Sequence, residues 1–445
     1  MNDITTVDEF GTRFLDAATA LELGARVVGW LRAAGYPARS RIGLRAANSP
    51  AVLSAVLGTL RGGYAPVLLG EKLTVRELAE MTQDIDPAVV LDARALAEAA
   101  SAEPAELGVR FGCRPIHFTS GTSGRPKAVW SGWLSPPEAD ALVGEENDVW
   151  GLGPDDVHVV CGPVSHSGPL RFALFTLQAG GSVLIAPTFD PQATSRLIEA
   201  GTATTSFMAP AHLQRILDGH TPSRHAMRLL AHAGSSCPER VRRLAYEVFG
   251  LDAVREFYGS TECQYTMCTP AQWLARPGTV GRARPGRELR IAEDGRIWCR
   301  APRWARFEYW GDEEKTAAAW DGDWVTVGDL GRLDDAGYLF IDGRRSDLII
   351  TGGVNVYPAE IERIVGEIPG VKHAVAFGVD DEQWGQKVCL AVVGTAAEQS
   401  IAQRCATELA PYKRPKEIRI VADMPLTHTG KVNRAEVVEA LRQAL

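Results

Sequence analysis

The sequence predicts an α/β protein. A large N-terminal domain of helix-covered parallel sheets comes first, then a region of short antiparallel hairpins, then a small α+β domain. Three observations carry this. Short apolar strands alternate with helical stretches over most of the first 285 residues, which implies parallel sheets with helices on their faces. After about residue 285 the strands shorten and are separated by Asp-Gly or Ala-Gly turns, the mark of hairpins. From about residue 346 the chain shows its own pattern of helices and strands, long enough for one small domain.

In order along the chain, Phe14 to Ala34 carries Leu15, Ala18, Leu21, Leu23, Val27, Val28 and Leu31 at helical spacing and stops at Gly35-Tyr36-Pro37. Arg41 to Leu44 is a short strand, Ala51 to Leu60 a buried helix ending at Gly62-Gly63, and Ala88 to Leu91 a strand entered after Pro87. Val157 to Cys161, Ser182 to Ala186, Ser206 to Met208 and Leu229 to Ala231 are strands with helical stretches between them. Leu289 to Ile291, Arg296 to Cys299 and Tyr338 to Ile341 are the hairpin strands. Ala359 to Val365 and Ile401 to Leu409 read as helices, with His373 to Val379 and Val388 to Val393 as strands. Asp342-Gly343-Arg344-Arg345-Ser346 is the expected junction, which divides the chain into 1–343, a hinge at 344–346, and 347–445.

Composition excludes several classes. The 445 residues contain 47 Lys and Arg against 55 Asp and Glu, a net charge of −8, with 45% hydrophobic residues. These are globular proportions, unlike a collagen-like, disulfide-scaffold or disordered chain. Nucleic-acid binding is disfavoured, because the longest basic cluster, around Tyr412 to Lys416, is short. The eight cysteines form no Cys-x-x-Cys pair and no zinc-finger spacing, so they read as reduced, buried thiols. The N-terminus lacks the features of a signal peptide and no apolar run is long enough to cross a bilayer, so the expected location is the cytoplasm.

The most informative segment is Thr119-Ser120-Gly121-Thr122-Ser123-Gly124-Arg125-Pro126-Lys127. Glycines let backbone N–H groups converge on an anion, hydroxyls add donors and the lysine adds charge. It is not the common phosphate loop: Gly121 and Gly124 are wrongly spaced, and Ala128 stands where a magnesium-binding hydroxyl is needed. The same composition also suits a flexible surface loop. Tyr258-Gly259-Ser260-Thr261-Glu262 is a second small-residue turn, with an aromatic face on one side and a carboxylate on the other. Asp329, in Gly328-Asp329-Leu330-Gly331, is an acid suited to the hydroxyls of a ribose, and Arg344 adds a cation at the junction. Lys431 sits on a glycine turn near the C-terminus. Taken singly, Glu262 reads first as a surface acid, Asp329 as a turn residue and Lys431 as a solvated lysine.

Taken in order, these five motifs resemble the superfamily of acyl-, aryl- and aminoacyl-adenylating enzymes from about residue 10 to the end of the chain. Gly343 to Glu362 looks most like the succinylbenzoate–CoA ligase branch. The resemblance implies that the antiparallel region is a small β-barrel-like subdomain and that the C-terminal domain is mobile. It implies two half-reactions: a carboxylate attacks the α-phosphate of ATP and releases pyrophosphate, and a thiol then displaces AMP. By the same resemblance, Thr119, Ser120, Gly121, Thr122, Ser123 and Lys127 hold the phosphates, Thr261 contacts the α-phosphate and Glu262 binds Mg²⁺. Tyr258 stacks on adenine beside Ala233-Gly234-Ser235 and Gly259, while Asp329 and Arg344 grip the ribose. Lys431 bridges carboxylate and α-phosphate, Ser346 is the hinge position, and Thr351, Gly352 and Gly353 line a pantetheine tunnel. Much of the family has Asp or Lys at the position of Ser346, so the charge interactions of the hinge differ here.

His166 matches the aromatic-or-histidine gate beside the acyl pocket, with Ser167, Met208, His232, Ala233 and Cys263 expected near it. Ser165-His166-Ser167 offers no carboxylate for an ammonium group, which disfavours an amino-acid substrate. An aryl or short acyl acid is expected, with CoA as acceptor and ATP and Mg²⁺ as cofactors. Alternatives are transfer to a carrier-protein phosphopantetheine or an amine, or activation of another oxyacid such as nitrite. An inactive nucleotide-binding protein is a remote reading, opposed by the retention of Lys127, Glu262 and Lys431. The expected partners are small molecules and thiols, with no nucleic acid and no membrane, and the relatives are monomers or homodimers.

Overall fold

The computed structural model describes residues 6–71, 73, 75–119, 127–344, 347–351, 354–381, 385–409, 411, 413–427 and 432–442. Ser120, Gly121, Thr122, Ser123, Ser346, Gly352, Gly353 and Lys431 lie outside the described residues.

The largest sheet has eight strands. Five adjacent strands are parallel, in the order Ser182–Ile185, Val157–Val160, Thr205–Met208, Leu229–His232 and Val254–Gly259. Antiparallel strands close its edges: Arg13–Asp16 on one side, Gln264–Cys268 and Arg282–Ala283 on the other. The strand Arg13–Asp16 differs from the single helix expected from Phe14. Asp16 accepts a hydrogen bond from the Thr19 N–H at 2.7 Å and so caps the helix Ala17–Ala33, leaving the residues before it extended.

A second sheet is parallel, with Arg41–Arg45 between Ala65–Leu69 and Val89–Asp92. The helices Ala17–Ala33 and Pro50–Arg61 cover it and cross at a glycine pair. A Cβ built on Gly58 would lie 2.3 Å from the Gly24 carbonyl oxygen, so no other residue permits this approach. The core runs continuously from this sheet, through the helix Ser167–Gln178, to one face of the large sheet.

Two antiparallel sheets follow, one of four strands over residues 288–325 and one hairpin, Asp329–Leu333 with Leu339–Arg344. Single bridges, Arg296 to Leu330 and Thr279 to Phe340, join them to each other and to the segment leading into the edge strand Arg282–Ala283. The C-terminal part forms a mixed sheet on its own. Gly385–Gly394 pairs antiparallel with Val371–Asp381 and parallel with Glu417–Val421, and apolar clusters fill both faces. All eight cysteines are buried and free. No helix among the described residues is long and apolar enough to cross a membrane.

Candidate active site

In a parallel sheet, ligands collect beyond the carboxyl ends of the strands, where the connecting turns share one edge. Four adjacent strands end here in segments singled out from the sequence. Val160 leads to the Ser165-His166-Ser167 turn, Thr205–Met208 ends in Met208, Leu229–His232 leads to Ala233-Gly234-Ser235, and Val254–Gly259 leads to Thr261-Glu262. Residues scattered over a hundred positions thus meet because each strand has the same direction and an adjacent place.

The fourth turn is tightly built. Ser260 donates its backbone N–H to the Cys263 carbonyl at 2.7 Å, while its Oγ accepts from Glu262 N–H at 3.2 Å. Tyr258 donates its hydroxyl to Asp329 Oδ2 at 2.6 Å and stacks on Tyr265 with ring centres 5.1 Å apart. The ring expected under adenine and the acid expected at ribose are therefore held together. Arg344 lies opposite Asp329 in backbone register, at the end of the same hairpin. Glu262 is buried and its Oε1 accepts a hydrogen bond from the Tyr309 hydroxyl at 2.8 Å.

The phosphate segment is bounded by strands. His117–Thr119 and Lys127–Trp130 pair antiparallel, with Thr119 opposite Lys127, so both ends of the segment are set. Lys127 Nζ pairs with Asp312 Oδ2 at 3.1 Å. Lys315 lies 4.2 Å over the ring of Tyr309, close to Glu262, and burial lowers its pKa. Lys315 thus stands between the buried Glu262 and the Lys127–Asp312 pair, an arrangement suited to phosphates with a divalent cation. Among the described residues, no group of three or more His, Cys, Asp or Glu is placed to hold a metal ion.

Several contributors were not legible in the sequence. Arg114 Nη2 donates to the carbonyls of Thr261 and Glu262, both at 3.1 Å, and Nη1 to Ala305 at 3.3 Å. One guanidinium thus ties the strand leading into the phosphate segment to the turn carrying Glu262. Burial, then the like charge of Arg171, lowers its pKa to about 10. His117 Nδ1 is 2.9 Å from the Ser165 carbonyl, so it carries the proton and donates. Burial holds this imidazole at a pKa of about 4, neutral at ordinary pH. Asn48 brackets the gate loop, donating to the Gly162 carbonyl at 3.0 Å and accepting from the Val164 N–H at 2.9 Å. Tyr309, Asp312, Arg114, His117 and Asn48 sit in segments whose local pattern carries no chemical signature.

His166 is half-buried and caps the helix Ser167–Gln178 with its backbone; Ser167 is half-buried beside it. A Cβ on Gly168 would lie 2.5 Å from the Phe207 ring, so helix and sheet are in contact directly behind the gate. Phe207 also stacks on Phe172 and packs on Phe257, with ring centres 5.3 and 5.8 Å apart. Ala233 is buried, and Gly234, with φ +95°, and Ser235 are exposed at the turn. Met208 is fully buried in the cluster on the opposite face of the sheet from Phe207 and Ala233. The Cys263 side chain points into the cluster of Cys299 and Tyr309, next to Arg287. Those two side chains are thus directed away from the gate helix. Alternation along a strand puts neighbouring residues on opposite faces, which a list of turn residues does not register. In the C-terminal sheet Thr351 is buried and pairs with Val354 and Gly385.

The family model for AMP-binding enzymes matches residues 115–302, and that for the AMP-binding enzyme C-terminal domain matches residues 360–431. An indoleacetate–CoA ligase of Aromatoleum aromaticum is 29% identical, with 97% of this chain and 94% of the relative covered. A 2-succinylbenzoate–CoA ligase of Listeria monocytogenes is 32% identical, with 73% and 69% covered. The crystal structure of ATP-bound MatB from Rhodopseudomonas palustris superposes with a TM-score of 0.85 at 29% identity, covering 96% and 93% of the two chains.

Proposed function

Because the chain belongs to the AMP-binding enzyme family and is an enzyme of the acyl/aryl-CoA ligase kind, we propose that it activates a short or aryl carboxylic acid with ATP. The products of this step are the acyl adenylate and pyrophosphate, and transfer to a thiol, CoA, follows. The observation that carries this reading is the convergence of Tyr258, Asp329 and Glu262 with Lys127 and Lys315 beyond the carboxyl ends of adjacent parallel strands.

A carboxylate is already a nucleophile, so the first step needs little acid–base chemistry. Its barrier is the approach of two anions and the charge developing on phosphate oxygens, which fixed cations and donors lower. Lys127 and Lys315 supply that charge, and Glu262 supplies an oxygen ligand for Mg²⁺. Tyr258 and Asp329 orient the nucleoside, with Arg344 beside them. Lys431, Thr119, Ser120, Gly121, Thr122, Ser123 and Thr261 take the phosphate and carboxylate roles of the family pattern. Ser346 serves as hinge, and Thr351, Gly352 and Gly353 as tunnel, with domain boundaries at 343 and 347. The close contact of Phe207 with the gate helix at Gly168 narrows the space behind His166, which supports a short acid.

The test is pyrophosphate release from Mg·ATP with a panel of aryl, short-chain and dicarboxylic acids, with and without CoA. Acid-dependent release with a thioester formed only when CoA is present is expected. Release of phosphate instead of pyrophosphate, or none with any acid, overturns the reading. Lys431→Ala is expected to lose adenylation by a factor of about 100 or more while still transferring a synthetic acyl adenylate.

A further inference from the structure

The backbone of Glu262 is fixed on both sides. Its N–H donates to Ser260 Oγ at 3.2 Å, and its carbonyl accepts from Arg114 Nη2 at 3.1 Å. A glutamate side chain so anchored still turns freely about the bond to its carboxylate. Here one donor stops that rotation: the Tyr309 hydroxyl, 2.8 Å from Oε1. Oε2 accepts no hydrogen bond among the described residues. The carboxylate therefore has one oxygen committed to the protein and one left for a metal ion.

Tyr309 is itself held from several sides. It lies opposite Val129, on the strand next to Lys127–Trp130, and its N–H donates to Thr316 Oγ1 at 2.9 Å. Phe307 meets its ring edge-on, with ring centres 5.3 Å apart. Lys315 Nζ lies over the ring, 4.2 Å from its centre. A cation on the face of a phenol draws charge from it, which strengthens the hydroxyl as a donor. Asp312 ties this corner to the phosphate strand. Its N–H donates to the Tyr309 carbonyl at 3.0 Å, its Oδ1 accepts from the Lys315 N–H at 3.0 Å, and its Oδ2 pairs with Lys127 at 3.1 Å. Magnesium demands a nearly octahedral shell and takes one or two carboxylates alongside substrate phosphates, so the angle of a single carboxylate matters to it.

We propose that Tyr309 is a positioning residue for the divalent cation. Its hydroxyl turns the Glu262 carboxylate so that Oε2 faces the metal, and Lys315 on the ring face strengthens that hold. The inference rests on the adenylation reading, in which Glu262 binds Mg²⁺.

Tyr309→Phe removes the hydroxyl and keeps the ring, its contact with Phe307 and the cation above it. The first readout needs no turnover: Mn²⁺ binding to the protein saturated with α,β-methylene-ATP, followed by electron paramagnetic resonance. The Mn²⁺ dissociation constant should rise about tenfold, the loss typical when a ligating carboxylate is deprived of its hydrogen-bond partner. Affinity for the nucleotide analogue in excess metal should change by less than about twofold, a separation that a general loosening of the site would not produce. Pyrophosphate release by the variant should need about ten times more Mg²⁺ and recover the parent kcat at saturating Mg²⁺. Glu262→Gln completes the cycle. If Tyr309 acts through the carboxylate, adding Tyr309→Phe to Glu262→Gln should alter Mn²⁺ affinity by less than about twofold.

An unchanged Mn²⁺ affinity in Tyr309→Phe overturns the proposal, as does a full loss that persists in the Glu262→Gln background. A fall in kcat that saturating Mg²⁺ does not restore also overturns it. Failure of the parent protein to release pyrophosphate with any acid overturns the adenylation reading instead, and the Mn²⁺ cycle then decides the role of Tyr309 by itself. A parent protein that binds no Mn²⁺ with the analogue refutes that role outright.

Discussion

Replacing Arg114 with methionine tests whether one buried guanidinium sets the turn that carries Glu262. Methionine has nearly the same reach and no donor. Three main-chain carbonyls, at 3.1, 3.1 and 3.3 Å, lose their partner. A hydrogen bond to a charged group is worth about 1.5–3 kcal/mol net. Nη2 serves two of the acceptors, so the loss is closer to two such bonds than three, about 3–6 kcal/mol. Removing a cation that burial and Arg171 already disfavour returns part of this, and a net loss of about 2–4 kcal/mol is expected. For a folded unit above 150 residues that corresponds to a fall in Tm of roughly 5–12 °C. Arg114→Lys, with one nitrogen in place of three, should lie between the two. The same change frees the Thr261 and Glu262 backbone, so the Mg²⁺ concentration for half-maximal pyrophosphate release should rise about tenfold, or about 1.4 kcal/mol. Calorimetric melting and a magnesium titration of the variant read both effects. A Tm within about 1 °C of the parent, together with an unchanged magnesium requirement, refutes the clamp.

Tyr258→Phe removes one hydroxyl, 2.6 Å from Asp329. KM for ATP should rise about tenfold with a much smaller change in kcat, and an ATP titration unchanged within twofold counts against joint ribose and adenine positioning. His117, His158 and His232 are buried and neutral, with pKa values pushed down by burial to about 4, 3 and 3. Because each folded value lies below that of the unfolded chain, the unfolded state binds more protons. The stability is present in full above pH about 6.5 and is lost as pH falls toward 4, by up to about 1.4 kcal/mol per unit for each histidine. Urea midpoints at pH 7.5, 6 and 5 measure this, and a flat profile would contradict the neutral assignment. Arg242 pairs with Glu256 inside the protein, with Nη2 to Oε1 at 2.9 Å, and both are buried. Arg242→Met leaves that carboxylate alone and should cost about 3–5 kcal/mol, whereas replacing both residues with apolar ones should restore most of the loss. A single variant with an unaltered unfolding midpoint would refute the pairing.

The residues legible in the sequence were those whose chemistry is local. Glycine, hydroxyl and lysine in one segment, or an aromatic and an acid around a small turn, announce an anion site by composition. The strands that end at these turns were legible for a similar reason, since short apolar runs between helices carry a periodicity of their own. The strand Arg13–Asp16 was not, because Phe14 and Leu15 fit a helical stripe equally well and the pairing with Ser182–Ile185 lies far away in sequence. The helix boundary there rests on one side chain, Asp16.

What the sequence alone determined is the order of elements, which depends on neighbours within a few residues, and the family resemblance, which depends on five motifs in order along the chain. Only the tertiary structure decided which side chains share a space. Strand pairing put Phe207 against the gate helix and turned Met208 to the opposite face, since adjacent residues on a strand point opposite ways. The same packing gathered Arg171, Arg284 and Arg287, drawn from distant segments, around Glu145 and Glu146. Net charge is summed over the whole chain and says nothing of such a local cluster. Burial makes that cluster matter, because a charge removed from water acts strongly on whatever lies within a few ångströms.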